Sequence, residues 1–432
     1  PGRTHLPPHP YAPPMPQPPS GSLDEAMRDR LQRRTLRTLM AVLVPAGAAM
    51  SGAYSSAAIL GEELSGSETL GGIAASGLTV GSALFAVPLA KFMSARGRRP
   101  GIAVGYLTGL CGAVLCLIAA LAGWYLLLIP GMVGVGGGHA ANLAARFAAA
   151  DLAPEAGRAI GTLVWASTFG AVVGPTLSFG PAKSGAEGLG MAELAGPYLL
   201  SALLFLVAMA LVVRFLHPDP LVVAGGVGQM EDRPPLRAFF GPLFKNPAGR
   251  LAVVGMMSCH VVMVGVMTMT PLHLRDGGHE LELIGFVISL HIIGMYALSP
   301  LVGRFSDRFG PRRLVAFGGI LLVVGSELAA HNQVGESFGV FAGLFLIGLG
   351  WSCGLIAGSA LLVETFSGPD RVGFQGMADM CMTAAGGVAG VISGLIVAVS
   401  SFHVLSHGAM VLGAVPTLMV AVRALSSRER KD

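Results

Sequence analysis

The chain has 432 residues, 53% of them hydrophobic and 12% charged, with a mean hydropathy of +0.68. Soluble domains carry about twice that charged fraction, so no water-facing fold hides this much apolar surface, and the chain reads as an integral membrane protein. Its formal net charge of +4 follows the loop pattern below and gives no reason to expect nucleic acid.

Residues 1–22, "PGRTHLPPHPYAPPMPQPPSGS", are proline-rich and predict no packed core. They read as a disordered or appended tail without a signal-peptide pattern, in which His5, His9 and Met15 are at most weak metal donors. A membrane-spanning helix needs about 20 mostly apolar residues. Such stretches fall at 36–57, 70–92, 101–121, 124–149, 159–180, 196–215, 251–272, 282–303, 314–330, 337–361, 373–398 and 407–424, twelve in all. They are too long, and too rich in glycine and alanine, for the alternating strands of a barrel. The predicted fold is an all-α integral membrane protein of twelve transmembrane helices. It divides into an N-terminal six-helix bundle (23–215), a linker (216–250), a C-terminal six-helix bundle (251–424) and a tail (425–432).

Lysine and arginine stay on the cytoplasmic side of a membrane. Arg28, Arg30, Arg33, Arg34 and Arg37 precede the first span, and Arg428, Arg430 and Lys431 follow the last. Every second loop is basic: Arg96, Arg98 and Arg99; Arg233, Arg237 and Lys245; Arg308, Arg312 and Arg313. Both termini are therefore expected in the cytoplasm. The five cysteines all fall inside spans with no CxxC pair, which argues against a disulfide framework.

The chain repeats at a displacement of 213 residues. Gly97 of "RGRRP" matches Gly310 of "RFGPRR", Asp151 matches Glu364, and Arg158 matches Arg371. Two parallel halves with a binding site at their midplane interface are a transporter architecture. There is no GxxxxGK[ST] loop, HExxH or nucleophile elbow, and "GVGGGHAAN" lies within a span, where glycine serves packing. Nothing argues for an enzyme or for ATP-driven transport by this chain alone.

"GRFSDRFGPRR" (303–313) resembles the loop motif of the major facilitator superfamily between the second and third helices of a half. The resemblance implies a cytoplasmic gate latch of Gly303, Asp307, Arg308, Gly310, Arg312 and Arg313. The other half reads "AKFMSARGRRP", with Ser94 at the aspartate position. "GAVVGP" in the fifth span (Gly170, Gly174, Pro175) resembles the superfamily's antiporter motif, but close packing through small residues with a proline bend is the preferred reading. Asp379, an acid inside the eleventh span, is expected to pair with a gate arginine or to exchange protons. Asp151, Arg158, Glu364 and Arg371 are further gate or coupling candidates.

The seventh span carries "MMSCHVVMVGVM", and at 100° per residue Met256, His260, Met263 and Met267 share a stripe about 60° wide. The eighth span places His291 and Met295 four residues apart on one face. Met263 and His291 each lie roughly 13 Å in from the loop joining these spans, at 1.5 Å per residue, near the middle of a bilayer ~30 Å thick. Met263, Met267, His291 and Met295 could therefore converge. Methionine is also a routine core filler, but a histidine at mid-membrane suggests a site. Thioethers select copper, Cu(I) above all.

MxxxM in the seventh helix with HxxxM in the eighth resembles the CcoA-type copper importers of the superfamily. That resemblance implies a monomeric bacterial inner-membrane carrier that takes up copper for cytochrome c oxidase assembly. Copper is then cargo rather than cofactor, with a periplasmic copper donor or a cytoplasmic copper chaperone as candidate partners. Relatives in the same branch carry riboflavin, so an organic-solute carrier is the nearest alternative, and a copper sensor without flux a second. The 213-residue offset sets Met50 opposite Met263 as a further candidate ligand, with Met256 and His260 on the stripe and His139, Met377 and Cys381 as a candidate relay.

Overall fold

The computed structural model describes residues 25–227, 237–276, 281–330, 338–368 and 370–428. The tail 1–22 and residues 429–432 lie outside the described residues. Six long helices build the first half: α1 (Glu25–Ser65), α2 (Glu68–Arg96), α3 (Arg98–Ala122), α4 (Tyr125–Ala150), α5 (Ala156–Leu177) and α6 (Ala195–Phe215). Six more build the second. These are α7 (Pro247–Asp276), the bent α8 (Leu281–Ile292 resuming at Ser299–Phe309), α9 (Pro311–Ala330), α10 (Phe338–Thr365), α11 (Arg371–Val399) and α12 (Phe402–Arg428). Among the described residues eleven helices are long and apolar enough to cross a membrane, and twelve when bent α8 counts as one. The chain is a multi-pass integral membrane protein, and the all-helical expectation is borne out.

Three departures have local causes. α1 begins at Glu25 rather than near residue 36, because polar residues extend it beyond the apolar stretch by docking on the end of α4. Gln32 Nε2 donates to the Ala149 carbonyl at 2.7 Å, and Arg28 Nε to that of Leu152 at 3.2 Å. α8 bends by 40° where the π-helical turn Ile293–Ala297 meets Pro300 in the first turn of the next segment, both recognised causes of kinks. The linker contains short helices at Pro220–Val223 and Arg237–Lys245, which no hydropathy window resolves.

The repeat is visible in the backbone. Gly97 and Gly310 both adopt positive φ, 101° and 88°, where a Cβ would be strained, and both turn the chain between consecutive helices of a half. Each half has its own core. The second core also takes in Phe147, Ala150, Ile160 and Val164 from α4 and α5, so the halves are packed together near the face where α1 begins and α12 ends, the terminal face. Leu84, Val391 and Val422 are each more than 60% exposed, as expected of side chains that meet acyl chains rather than water.

Glycines set how closely the halves approach. A Cβ on Gly303 would lie 2.3 Å from the Gly157 carbonyl oxygen, and one on Gly376 would lie 2.2 Å from the Ala90 Cβ. Gly303→Val is therefore expected to wedge α8 off α5, lowering the melting temperature and slowing transport by about tenfold or more, read by thermal unfolding and vesicle uptake together. Gly170 and Gly174 pack α5 on α1. Ser51 Oγ donates to the Gly170 carbonyl at 3.0 Å, and a Cβ on Gly174 would sit 2.4 Å from the Ala48 carbonyl oxygen. The "GAVVGP" segment thus has a helix-packing role.

Candidate functional site: a central cavity above a gate

Two polar clusters join the halves at the terminal face. In the first, Asp307 at the end of α8 caps the start of α5: its carboxylate accepts from the backbone N–H of Gly157 at 2.8 Å and of Arg158 at 2.7 Å. This satisfies donors that a helix start otherwise leaves open and sets an anion at the positive end of the helix. Arg158 itself pairs with Glu155 at the surface, 3.2 Å away. Gly310 makes the turn after the latch, Arg308 lies over the Phe309 ring at 5.4 Å, and Arg312 and Arg313 are exposed, as is Glu364.

The second cluster occupies the pseudo-equivalent place, where the first half has Ser94. Buried Asp151 accepts from Arg98 Nε at 2.8 Å and from Arg371 of α11 at 2.7 Å, while Arg98 also donates to Gln375 Oε1 at 2.7 Å. One acid thus bridges two arginines from opposite halves. The 213-residue offset matches Asp151 with Glu364 and Arg158 with Arg371, and the contact that forms crosses those two pairs, joining Asp151 to Arg371. Arg98 and Gln375 were not singled out from sequence, because neither carries a pattern beyond a basic loop and a polar residue at a helix start.

Deeper in, Arg146 of α4 meets Asp379 of α11. Its Nη2 donates to Asp379 Oδ1, its Nη1 lies 3.3 Å from Oδ2, and its Nε donates to Ser359 Oγ of α10 at 2.8 Å. Both charged residues are under 5% exposed. The legible signal was a cation inside an apolar helix, complementary to the acid in α11.

Above this pair lies a cavity of about 90 Å³ between the halves. Met50, His139 and His260 line it, with Asn142, Arg146, Ser167, Tyr296 and Trp351. Trp351 Nε1 donates to His260 Nδ1 at 3.0 Å, which leaves the His260 proton on Nε2 when the ring is neutral. Tyr296 stands edge-on to Trp351, ring centroids 5.6 Å apart. Tyr106 donates to Asn142 Oδ1 at 2.7 Å, and the buried His139 Nδ1 has no hydrogen-bond partner among the described residues. Gly386 of α11 makes room for the His260 ring: a Cβ there would fall 2.2 Å from Cδ2.

The wall of this cavity does not include Met263, Met267, His291 or Met295. His291 turns toward α10, where Nδ1–H donates to the Leu344 carbonyl at 2.8 Å. Close contact of Gly294 and Gly348 with the facing backbones holds α8 in that rotation. Met295 and Met263 pack on the second-half core, and Met267 on a smaller cluster with Leu274, Val287 and Leu344. Met256 packs against Gly358 of α10, and Met377 and Cys381 belong to the same second-half core. Of the wider set, the structure brings Met50, His139 and His260 together. Among the described residues no group of three or more His, Cys, Asp or Glu is arranged to hold a metal.

The model of the Major Facilitator Superfamily matches residues 38–281 and 276–432. An uncharacterized MFS-type transporter of Bacillus subtilis, YddS, is 34% identical over 392 residues, covering 89% of this chain and 89% of its own. The riboflavin transporter RfnT of Brucella anthropi is 28% identical over 75% of this chain and 79% of its own. The crystal structure of the human organic anion transporter MFSD10 superposes with a TM-score of 0.70 at 14% identity, over 94% of this chain and 100% of that one. Two pseudo-repeated bundles, a shared cavity and an interlocked terminal face are the parts of a carrier, and the chain belongs to the Major Facilitator Superfamily of membrane transporters.

Proposed function

We propose that the central cavity takes a planar aromatic solute with hydrogen-bonding edges, of the flavin type, and that the chain carries it across a bacterial inner membrane. The observation that carries this reading is the lining itself. Trp351 and Tyr296 offer aromatic surface, which binds flat rings. Around them stand the Nε2–H of His260, the unpartnered Nδ1 of His139 and the amide of Asn142, the few polar groups that orient a ligand in an apolar pocket. The riboflavin carrier among the relatives supports the same class. A cavity of about 90 Å³ is below the ~300 Å³ of drug-sized sites, so solute enters with the halves further apart, as rocking of one bundle against the other allows. The basic residues of the terminal face support a cytoplasmic position for both termini.

Copper is the second reading, and one observation favours it. With Nδ1–H given to the Leu344 carbonyl, the buried His291 Nε2 keeps a free lone pair and has no partner among the described residues. Metal-ligating histidines are fixed in this way. Against copper in the central cavity stand the Arg146 guanidinium and the spent lone pair of His260.

Sealed proteoliposomes separate the two. Riboflavin accumulation is expected in the wild type, lost about tenfold or more in Trp351→Ala, and kept in Met263→Leu/His291→Leu. Copper accumulation that disappears only in the double variant would replace the first reading with the second. Neither solute accumulating would overturn both.

A further inference from the structure

We propose that a groove between α1 and α6 at the terminal face binds the headgroup of an anionic phospholipid. Arg30, Arg34 and Arg37 recur at helical spacing on one face of α1, with Arg33 beside them, and together they form one wall of a groove of about 530 Å³. Leu211 and Phe215 of the last turn of α6 form the other wall.

All four arginines are exposed, and none has an ion-pair partner among the described residues. Four like charges within two turns repel one another. Guanidinium groups match phosphate oxygens in a planar, two-pronged geometry, so a phosphodiester anion relieves that repulsion.

The apolar wall identifies the rest of the ligand. Phe215 is half exposed, and the i−4 ridge of α6 that runs back from it through Leu211 carries exposed Val207 and Leu203. An acyl chain leaving a headgroup held by the arginines would run down that surface without entering water. A free phosphate would use the arginines alone.

The position carries a consequence. The same turns of α1 are tied by Arg28 to the Leu152 carbonyl and by Gln32 to that of Ala149, on either side of Asp151, which bridges the halves. A lipid held here steadies the segment carrying that acid.

The test uses the full chain in mild detergent, with native mass spectrometry of bound dioleoyl-phosphatidylglycerol and dioleoyl-phosphatidylcholine. Wild type is expected to retain phosphatidylglycerol over phosphatidylcholine. The R30Q/R33Q/R34Q/R37Q variant should lose at least about tenfold of that retention, since each cation near an anionic lipid contributes about fivefold. A control of equal charge change at other exposed sites, K91Q/R96Q/R250Q/R423Q, should keep it. Equal retention of the two lipids by wild type, which needs no variant, would overturn the proposal, as would equal loss in both variants. Displacement of phosphatidylglycerol by excess inorganic phosphate would reduce the groove to a free-anion site and overturn the lipid assignment.

Discussion

Asp151→Asn is expected to unlatch the two halves at the terminal face. The wild-type carboxylate is almost fully buried and answers two guanidiniums, one from each half. The amide offers one oxygen and no charge, leaving Arg98 and Arg371 facing each other uncompensated. Breaking a buried ion pair by removing one partner costs about 3–5 kcal/mol, because the remaining charge stays desolvated. Two arginines share this acid, so the upper part of that range is expected, as a fall in melting temperature. Trypsin should also cut the detergent-solubilised variant faster at Arg98 and Arg371, which the wild-type cluster shields. Unchanged cleavage with unchanged melting would show that the glycine interlock, not Asp151, holds the gate. Arg371→Gln should give a smaller effect, since Arg98 then keeps its acid.

The Arg146–Asp379 pair gives the second large expected effect. Asp379→Leu leaves Arg146 buried with Ser359 Oγ and the Leu143 carbonyl as its remaining hydrogen-bond partners among the described residues. Arg146→Met leaves a carboxylate in an apolar core. Each single change should cost about 3–5 kcal/mol and remove transport, whereas the double variant R146M/D379L should recover much of the stability, as buried pairs replaced together by apolar side chains often do. The recovery is read as a coupling energy from a double-mutant cycle in thermal unfolding. Additive losses would mean that the two residues act separately. If the pair also opens and closes during the cycle, the double variant will be stable yet inactive, which distinguishes a working contact from a merely structural one.

Much of the fold was legible because membrane solvation leaves a coarse mark. A span must satisfy its backbone internally and present apolar side chains for about 20 residues, so the helix count, the two halves and their loops could be read from hydropathy and from the 213-residue repeat. The motif GRFSDRFGPRR was legible for the same reason: a turn glycine and an acid at a helix end have local requirements. The reach of α1 back to Glu25 was not, because its polar turns are held by the end of α4, more than a hundred residues away.

The candidate site was legible by residue type and not by address. The sequence alone determined that three methionines and one histidine share a stripe on α7, that His291 and Met295 share a face on α8, and that Asp379 is an acid inside a span. Only the tertiary structure decided what each meets. The Gly294 and Gly348 contacts turn His291 to the Leu344 carbonyl, while Gly386 and Trp351 hold His260 at the cavity. Arg146 finds Asp379 across 233 positions of chain. Helical periodicity fixes the angles between side chains on one helix, but the rotation of that helix against its neighbours comes from small-residue contacts spread over the whole molecule, and that rotation chooses which face becomes a site.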